Sequence, residues 1–333
     1  LLKAAKERGY KVTNSLKDKD IDIILFTDPR YYNDGVAFGS LEILFYLIFK
    51  NKNAIVVHRI NECDERKNTN HMNIFLRWSN FCADHTVFIS NWLSKLNLAQ
   101  ENKPFSVIFN GADQSIFNDS INKKWNINEP LRIVTHHWSA NKMKGLDVYK
   151  KLDELMNNSY WKGKIEFTYI GNLPNGFSFR NAKVLSPKCG KDLGNELSRN
   201  HVYITASNNE PAGMHHIEGA LSGLPIIYKN SGALPEYCKS FGVCFNNLEF
   251  IPALKEMMAN YSFYKSQIEN YPHNANRMSE NYFNLFIDLI NKREELVSRR
   301  RIIRSPILFI KNFIFLVIYL VKRSKNLIQK VKI

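Results

Sequence analysis

The feature that most restricts this chain is a repeated exchange between short apolar runs and helix-length stretches. Runs of four to six residues at 21–26, 54–57, 85–89 and 106–109 are built mainly from Ile, Val, Leu and Phe. They are too short for buried helices, and their length suits strands covered on both faces. The stretches 39–50 and 72–83 between them read as helices. Strands separated in this way by helices form a parallel sheet with helices on both sides. A polar stretch at 117–130, rich in Asn, Asp and Lys, interrupts the pattern and reads as a linker. The alternation then resumes, with strands expected at 131–135, 165–170, 202–205 and 225–228 and helices beginning near Lys144, Leu193 and Gly213. The expected fold is α/β with two Rossmann-like halves, binding ligands in a cleft at the carboxyl ends of the strands. No repeat at a fixed period and no low-complexity segment is present.

The first nine residues read as a helix closed by Gly9, and 10–12 as a short strand. A Rossmann-like half ordinarily begins with a strand and a glycine-rich loop before its first helix. The sequence therefore predicts a first domain at 1–120 that lacks its first strand, as in an N-terminally shortened form of a longer protein. A second domain is expected at 131–265, helices returning towards the first at 266–297, and a tail at 298–333.

Charge separates the tail from the rest. The formal net charge of +15 invites a polyanionic partner. Twelve Lys and Arg against two acidic residues place +10 of it between 292 and 333. The other 291 residues have a balance unremarkable for a soluble enzyme, which weakens any reading as a nucleic-acid binder. The five cysteines, Cys63, Cys82, Cys189, Cys238 and Cys244, include no C-x-x-C pair and no histidine at ligand spacing. That argues against zinc and a disulfide framework and fits a reducing compartment.

The stretch 207–227 carries the most chemistry. It follows an expected strand, places Glu210 in a polar loop, opens a helix at Gly213, sets Glu218 about one and a half turns into it, and runs through Gly-Leu-Pro into another strand. A helix N-terminus presents free N–H groups and a positive dipole end, which suits a diphosphate. A carboxylate before it can accept hydrogen bonds from sugar hydroxyls, and one within it can hold a ribose diol. Adjacent His215 and His216 point in different directions on a helix, which favours helix-face roles over metal binding.

This stretch resembles the E-x7-E signature of glycosyltransferase family 4 and its relatives of the GT-B fold. Three further elements resemble that family in the expected order. Asn110-Gly-Ala-Asp113 with Phe117 is similar to its N-G-x-D-x-x-x-F turn, Lys144-Gly145 to its K-G element, and Tyr169-Ile-Gly171 to its strand-end glycine. The resemblance covers roughly residues 1–290. It implies a retaining transfer from a nucleotide sugar, with Glu210 on the transferred sugar, Glu218 on the ribose and Lys144 on the departing diphosphate. It also implies a phosphate cradle around Gly232 and Ala233, and places Gly171 and His137 on the donor side. His58 matches a position where the family often carries a histidine near the acceptor and the transferred sugar. Arg59, Asn61 and Glu62 follow it as acceptor-side candidates. The family's arginine, about six residues before the lysine, has no counterpart; His136, His137 and Lys142 are the alternatives for its place. No D-x-D pair stands in a cleft position, so no essential metal and no cofactor are expected.

The tail has an apolar run at 307–321 broken by Lys311 and Asn312, with basic residues at both ends. At about 1.5 Å per residue it reaches roughly 22 Å, short of a 30 Å hydrocarbon core. It reads as a helix lying on or shallowly in an anionic leaflet through 299–333; a span with snorkelling lysines and a buried helix are the alternatives. The expected setting is the cytoplasmic face of a bacterial membrane, with a lipid-linked or saccharide acceptor. A GT-B sugar-nucleotide epimerase and an inactive, membrane-docked nucleotide-sugar-binding subunit are the other readings.

Overall fold

The computed structural model describes residues 1–30, 36–119, 124–300 and seven positions between 307 and 321. Most of the tail expected at 298–333, and part of the polar stretch at 117–130, lies outside the described residues. Contacts divide the chain into two compact units, one formed by Leu1–Phe109 with Ser279–Ile333, the other by Asn110–Met278.

The first unit is built on four parallel strands, β1 (Ile23–Phe26), β2 (Ile55–Ile60), β3 (His85–Phe88) and β4 (Phe105–Val107), adjacent in that order. The central strands β2 and β3 are buried almost throughout, as apolar runs covered on both faces must be. The helices Ser40–Phe49 and Met72–Ser79 cover the sheet, packing Ile43, Tyr46, Leu47, Phe75 and Trp78 against Ile24, Phe26 and Val56. The expected strand at 10–12 does not form. Tyr10 instead stacks on Phe283 at 5.6 Å, and the Arg8 guanidinium lies over the same ring. A lone extended triplet beside a helix has no ladder to join, and its aromatic residue finds a side-chain partner instead.

The second unit carries six parallel strands: β5 (Leu131–His137), β6 (Ile165–Gly171), β7 (Lys183–Leu185), β8 (Val202–Thr205), β9 (Ile226–Lys229) and β10 (Gly242–Phe245). Their order is β10-β9-β8-β5-β6-β7, so the sheet grows one way from β5 and the other way from β8. This is the doubly wound arrangement, whose switch point between the two directions opens a crevice at the strand ends. A core of Ile133, Tyr149, Phe167, Val202, Ile204 and Phe250, among others, fills the space between sheet and helices. The sequence did not indicate β7 and β10. Both are edge strands: β7 is mostly exposed, and β10 is a four-residue stretch that opens on Gly242 and exposes Cys244.

Candidate functional site

The loops leaving the carboxyl ends of β5 and β8 meet at that switch point. Lys144 ends a short 3-10 turn, and Gly145 then adopts φ 82° to start the helix Leu146–Leu155. Its Cα comes so close to β8 that an added Cβ would lie 2.2 Å from the Ala206 carbonyl oxygen. Glycine is required there on two counts: the left-handed backbone and the lack of space. Asn208 N–H donates to the Met143 carbonyl at 2.8 Å, tying the loop after β8 to the same turn.

That tie brings Lys144 to Glu210. Its Nζ donates to Glu210 Oε2 at 3.0 Å, and both side chains are buried. Glu210 is also fixed through its backbone, because Ala233 N–H donates to its carbonyl at 2.8 Å. Gly232, at φ 61°, packs so tightly on residue 210 that a Cβ would sit 2.5 Å from its backbone N and O. Gly232 and Ala233 thus brace the Glu210 loop. Gly171 meets the end of β5 from the other side, against the His137 carbonyl.

Gly213 is the N-cap of the helix Met214–Leu221 and offers no capping side chain, so the first N–H groups of that helix are available to a ligand. Glu218 on this helix receives a hydrogen bond from His136 Nε2 at 2.7 Å. The opposite ring nitrogen of His136 faces the Tyr203 hydroxyl at 3.1 Å, which fixes the ring. His137 Nε2 contacts the Tyr149 hydroxyl at 2.8 Å, and Tyr149 in turn accepts from Ala206 N–H. His215 Nε2 is 2.9 Å from Thr205 Oγ1, and burial holds its pKa well below the ordinary value. His216 packs on Tyr237, and burial lowers its pKa to about 3. The His215 and His216 rings are both buried in the second unit.

The loops and the helix enclose a pocket of about 410 Å³, lined among others by His136, Trp138, Lys144, Gly213, His215 and Glu218. That volume lies in the range of small-ligand sites. Of the donor-side candidates, the structure brings Lys144, Glu218, Gly213 and His137 to this pocket, while Gly171, Gly232 and Ala233 support its frame. Of the alternatives for the arginine's place, His136 holds Glu218, His137 meets Tyr149 and Lys142 is exposed. Lys188 and Cys189 also line the pocket, from the loop between β7 and the helix Gly190–Leu197. The sequence reading missed that loop with β7, and it missed the His136–Glu218 pair because the two residues are 82 positions apart. The only signal was a histidine pair at a strand end. Among the described residues, no group of three His, Cys, Asp or Glu is arranged to hold a metal ion.

The acceptor-side candidates all lie in the first unit. His58 on β2 is fully buried, stacked on Phe26 at 4.2 Å, with Nδ1 facing the Asn80 amide at 3.1 Å. Burial, aided by the charge of Lys103, lowers its pKa to about 3. Arg59 is half-buried near the end of β2, Asn61 is exposed, and Glu62 pairs with Lys67 at 3.1 Å.

No protein-family model and no curated protein sequence matches the chain. Solved structures do. Anabaena HepE in complex with UDP and glucose aligns with a TM-score of 0.61 at 13% identity, covering 81% of this chain and 79% of that one. Sucrose-phosphate synthase from Thermosynechococcus elongatus aligns at 0.60 and 12% identity, covering 87% and 76%. The catalytic domain of starch synthase IV from Arabidopsis thaliana, bound to ADP and acarbose, aligns at 0.55 and 14% identity, covering 87% and 75%. At such identities the likeness concerns architecture, and that architecture, with its two parallel α/β sheets, is the GT-B fold.

Proposed function

We propose that this chain is a glycosyltransferase that takes a sugar from a nucleotide-sugar donor and transfers it with retention. The observation that carries the reading is the pocket at the β5/β8 switch point, where Lys144, the Gly213 helix start and the Glu218–His136 pair converge. The helix start would receive the diphosphate, and Lys144 would offset the charge that grows on it as the sugar leaves. Glu218, fixed by His136, would accept hydrogen bonds from the ribose diol. Glu210, buried against Lys144, would meet the transferred sugar. Similar structures that hold UDP with glucose, or ADP, favour a donor of this class. His58, Arg59, Asn61 and Glu62 stay the acceptor-side candidates.

The setting we propose is the cytoplasmic face of a bacterial membrane, with a lipid-linked or polysaccharide acceptor and the tail at 299–333 on anionic lipid. The charge of that segment supports it. No essential metal or cofactor is required in this scheme. The test is a panel of nucleotide sugars followed by calorimetry and by product analysis, with Glu218→Ala as control. A donor that binds the wild type and loses roughly tenfold or more in affinity in the variant supports the reading. If no nucleotide sugar binds, the reading fails. Binding without turnover on any acceptor would favour the nucleotide-sugar-binding subunit.

A further inference from the structure

A soluble helix lying on a sheet normally shows the sheet an apolar stripe and the solvent a polar face. The helix Ser40–Phe49 departs from this. Its sequence, SLEILFYLIF, has only Ser40, Glu42 and the Tyr46 hydroxyl as polar side-chain groups. Ile43, Tyr46 and Leu47 face the core, and Phe45, Ile48 and Phe49 face outward, 59%, 42% and 76% exposed. Phe45 and Phe49, one turn apart, stack on each other with ring centroids 6.2 Å apart. Leu41 and Leu44 lie half-buried beside them; exposed Glu42 stands in the first turn, so the outward side is apolar over the C-terminal half of the helix. Exposed apolar residues scattered singly need no explanation, but a contiguous face with two stacked phenylalanines marks a surface that something covers.

The chain segment that follows this helix is gripped from the other end of the sequence. Arg300 donates from Nη1 to the Lys52 carbonyl at 2.6 Å and from Nη2 to the Ala54 carbonyl at 2.8 Å. The same guanidinium pairs with Asp84, which also accepts a hydrogen bond from Val56 N–H. Arg300 is therefore fixed three residues beyond the end of the helix, at its most exposed aromatic residue. The sequence then runs directly into the basic, apolar tail. The described positions of its apolar run, Ile307, Ile310, Phe313, Ile314, Val317, Ile318 and Val321, are helical and exposed. The exposed side of Ser40–Phe49 and this apolar run thus belong to one unit, and in sequence the run begins seven residues after Arg300.

The charges around these faces identify the occupant. No acidic residue follows Glu295, while Arg299, Arg301, Arg304, Lys322, Arg323 and Lys325 flank the apolar run. Lys50 and Lys52 follow the helix at its exposed end. Apolar faces bordered by positive charge fit a lipid leaflet with anionic headgroups. We propose that the helix Ser40–Phe49 is a second lipid-contacting element, in which Phe45, Ile48 and Phe49 enter the acyl boundary of an anionic leaflet next to the tail. Arg300 joins the two elements, so the membrane holds the first unit itself rather than a tether hanging from it. This rests on the membrane setting proposed above and adds a contact that the tail alone does not require.

The test uses the full chain with vesicles of phosphatidylcholine and phosphatidylglycerol. Flotation reports the membrane setting; Phe49→Trp, read against the wild-type tryptophan background, reports the helix. Expected are flotation of the wild type, a blue shift of the added Trp emission, and its quenching by lipids brominated on the acyl chain. The double variant Phe45→Ser/Phe49→Ser, at exposed positions where folding is not at stake, should lose roughly tenfold or more in vesicle affinity. A chain that floats while the Trp is neither shifted nor quenched, and whose double variant binds equally, overturns the helix contact and leaves the membrane setting standing. A chain that does not float removes both. Concentration-dependent dimers abolished by the double variant, with no quenching, would assign the face to a second copy and overturn the proposal.

Discussion

The two units start from the same element, a parallel sheet with helices on it, and use their buried polar side chains in opposite ways. In the first, those side chains hold the frame. Lys103 donates to the carbonyls of Asn80, Phe81 and Ala83, Asp84 pairs with Arg300, and His58 packs between Phe26 and Asn80. In the second, Lys144, Glu218, His136 and His215 are equally well paired, but they line an open pocket. Burial and pairing therefore do not by themselves distinguish scaffold from site. The distinguishing feature is empty space beside the paired groups, which the doubly wound strand order opens between β5 and β8.

The largest effects should come from breaking one buried ion pair in each unit. Lys144→Met leaves the Glu210 carboxylate buried without its lysine, and Arg300→Met does the same to Asp84. Each should destabilise its own unit by about 3–5 kcal/mol, the usual cost of an uncompensated buried charge. Hydrogen exchange read unit by unit would locate the loss. The functional consequences should diverge. Lys144→Met should also abolish donor binding at concentrations that saturate the wild type, whereas Arg300→Met should leave it within about threefold at a temperature where both units are folded. Equal loss of donor binding in both variants would erase the distinction between frame and site.

Acidification should separate the units by a smaller margin. A histidine whose folded-state pKa is depressed contributes stability that is present above its unfolded value near 6.5 and lost as pH falls towards the folded value. In the first unit His58 at about 3 and His85 at about 4 are such groups, both lowered chiefly by burial. In the second are His201 and His273 at about 4, His216 at about 3, and His215 well below its ordinary value. Each loses about 1.4 kcal/mol per pH unit once well below its unfolded value, so the second unit should lose stability more steeply between pH 6 and 5. Exchange protection measured at those two pH values would show it. A steeper loss in the first unit would mean that its buried groups control acid sensitivity.

Much of this arrangement could be read from the sequence, and the residues show where reading stopped. The central strands announced themselves, because a strand buried on both faces is apolar at most of its positions; Val202–Thr205 emerged with the bounds its sequence implied. The edge strands β7 and β10 gave no such signal: β7 is mostly exposed, and β10 is short, opens on a glycine and exposes Cys244. Lys144, Glu210, Gly213 and Glu218 were readable because local context ties each to a turn or a helix start. The partners that orient them were not. His136 reaches Glu218, and Lys144 reaches Glu210, only through the parallel pairing of β5 and β8, and contacts across 82 and 66 positions leave no local pattern. Arg300 on Asp84, 216 positions apart, was hidden for the same reason.

The smallest predicted effect tests the comparison at a single histidine in each unit. His136 links two groups, donating from Nε2 to Glu218 at 2.7 Å while its other nitrogen faces the Tyr203 hydroxyl. His136→Gln can retain one of these contacts but not both, so Glu218 would sample more than one orientation. A hydrogen bond of this kind to a charged group contributes about 1.5–3 kcal/mol, and part of it survives in the glutamine variant. The expected outcome is a roughly threefold to tenfold weaker affinity for the donor, a drop of a few degrees at most in melting temperature, and little change in turnover at saturating donor. His58→Gln makes the matching change in the first unit. That ring is enclosed by Phe26 and Asn80, and the more flexible glutamine cannot restore the stacking. It should therefore lower the melting temperature more than His136→Gln does, with donor affinity unchanged. Donor affinity falling in His58→Gln at a temperature where the variant is folded would make His58 part of the donor machinery, and the first unit would then be more than a frame.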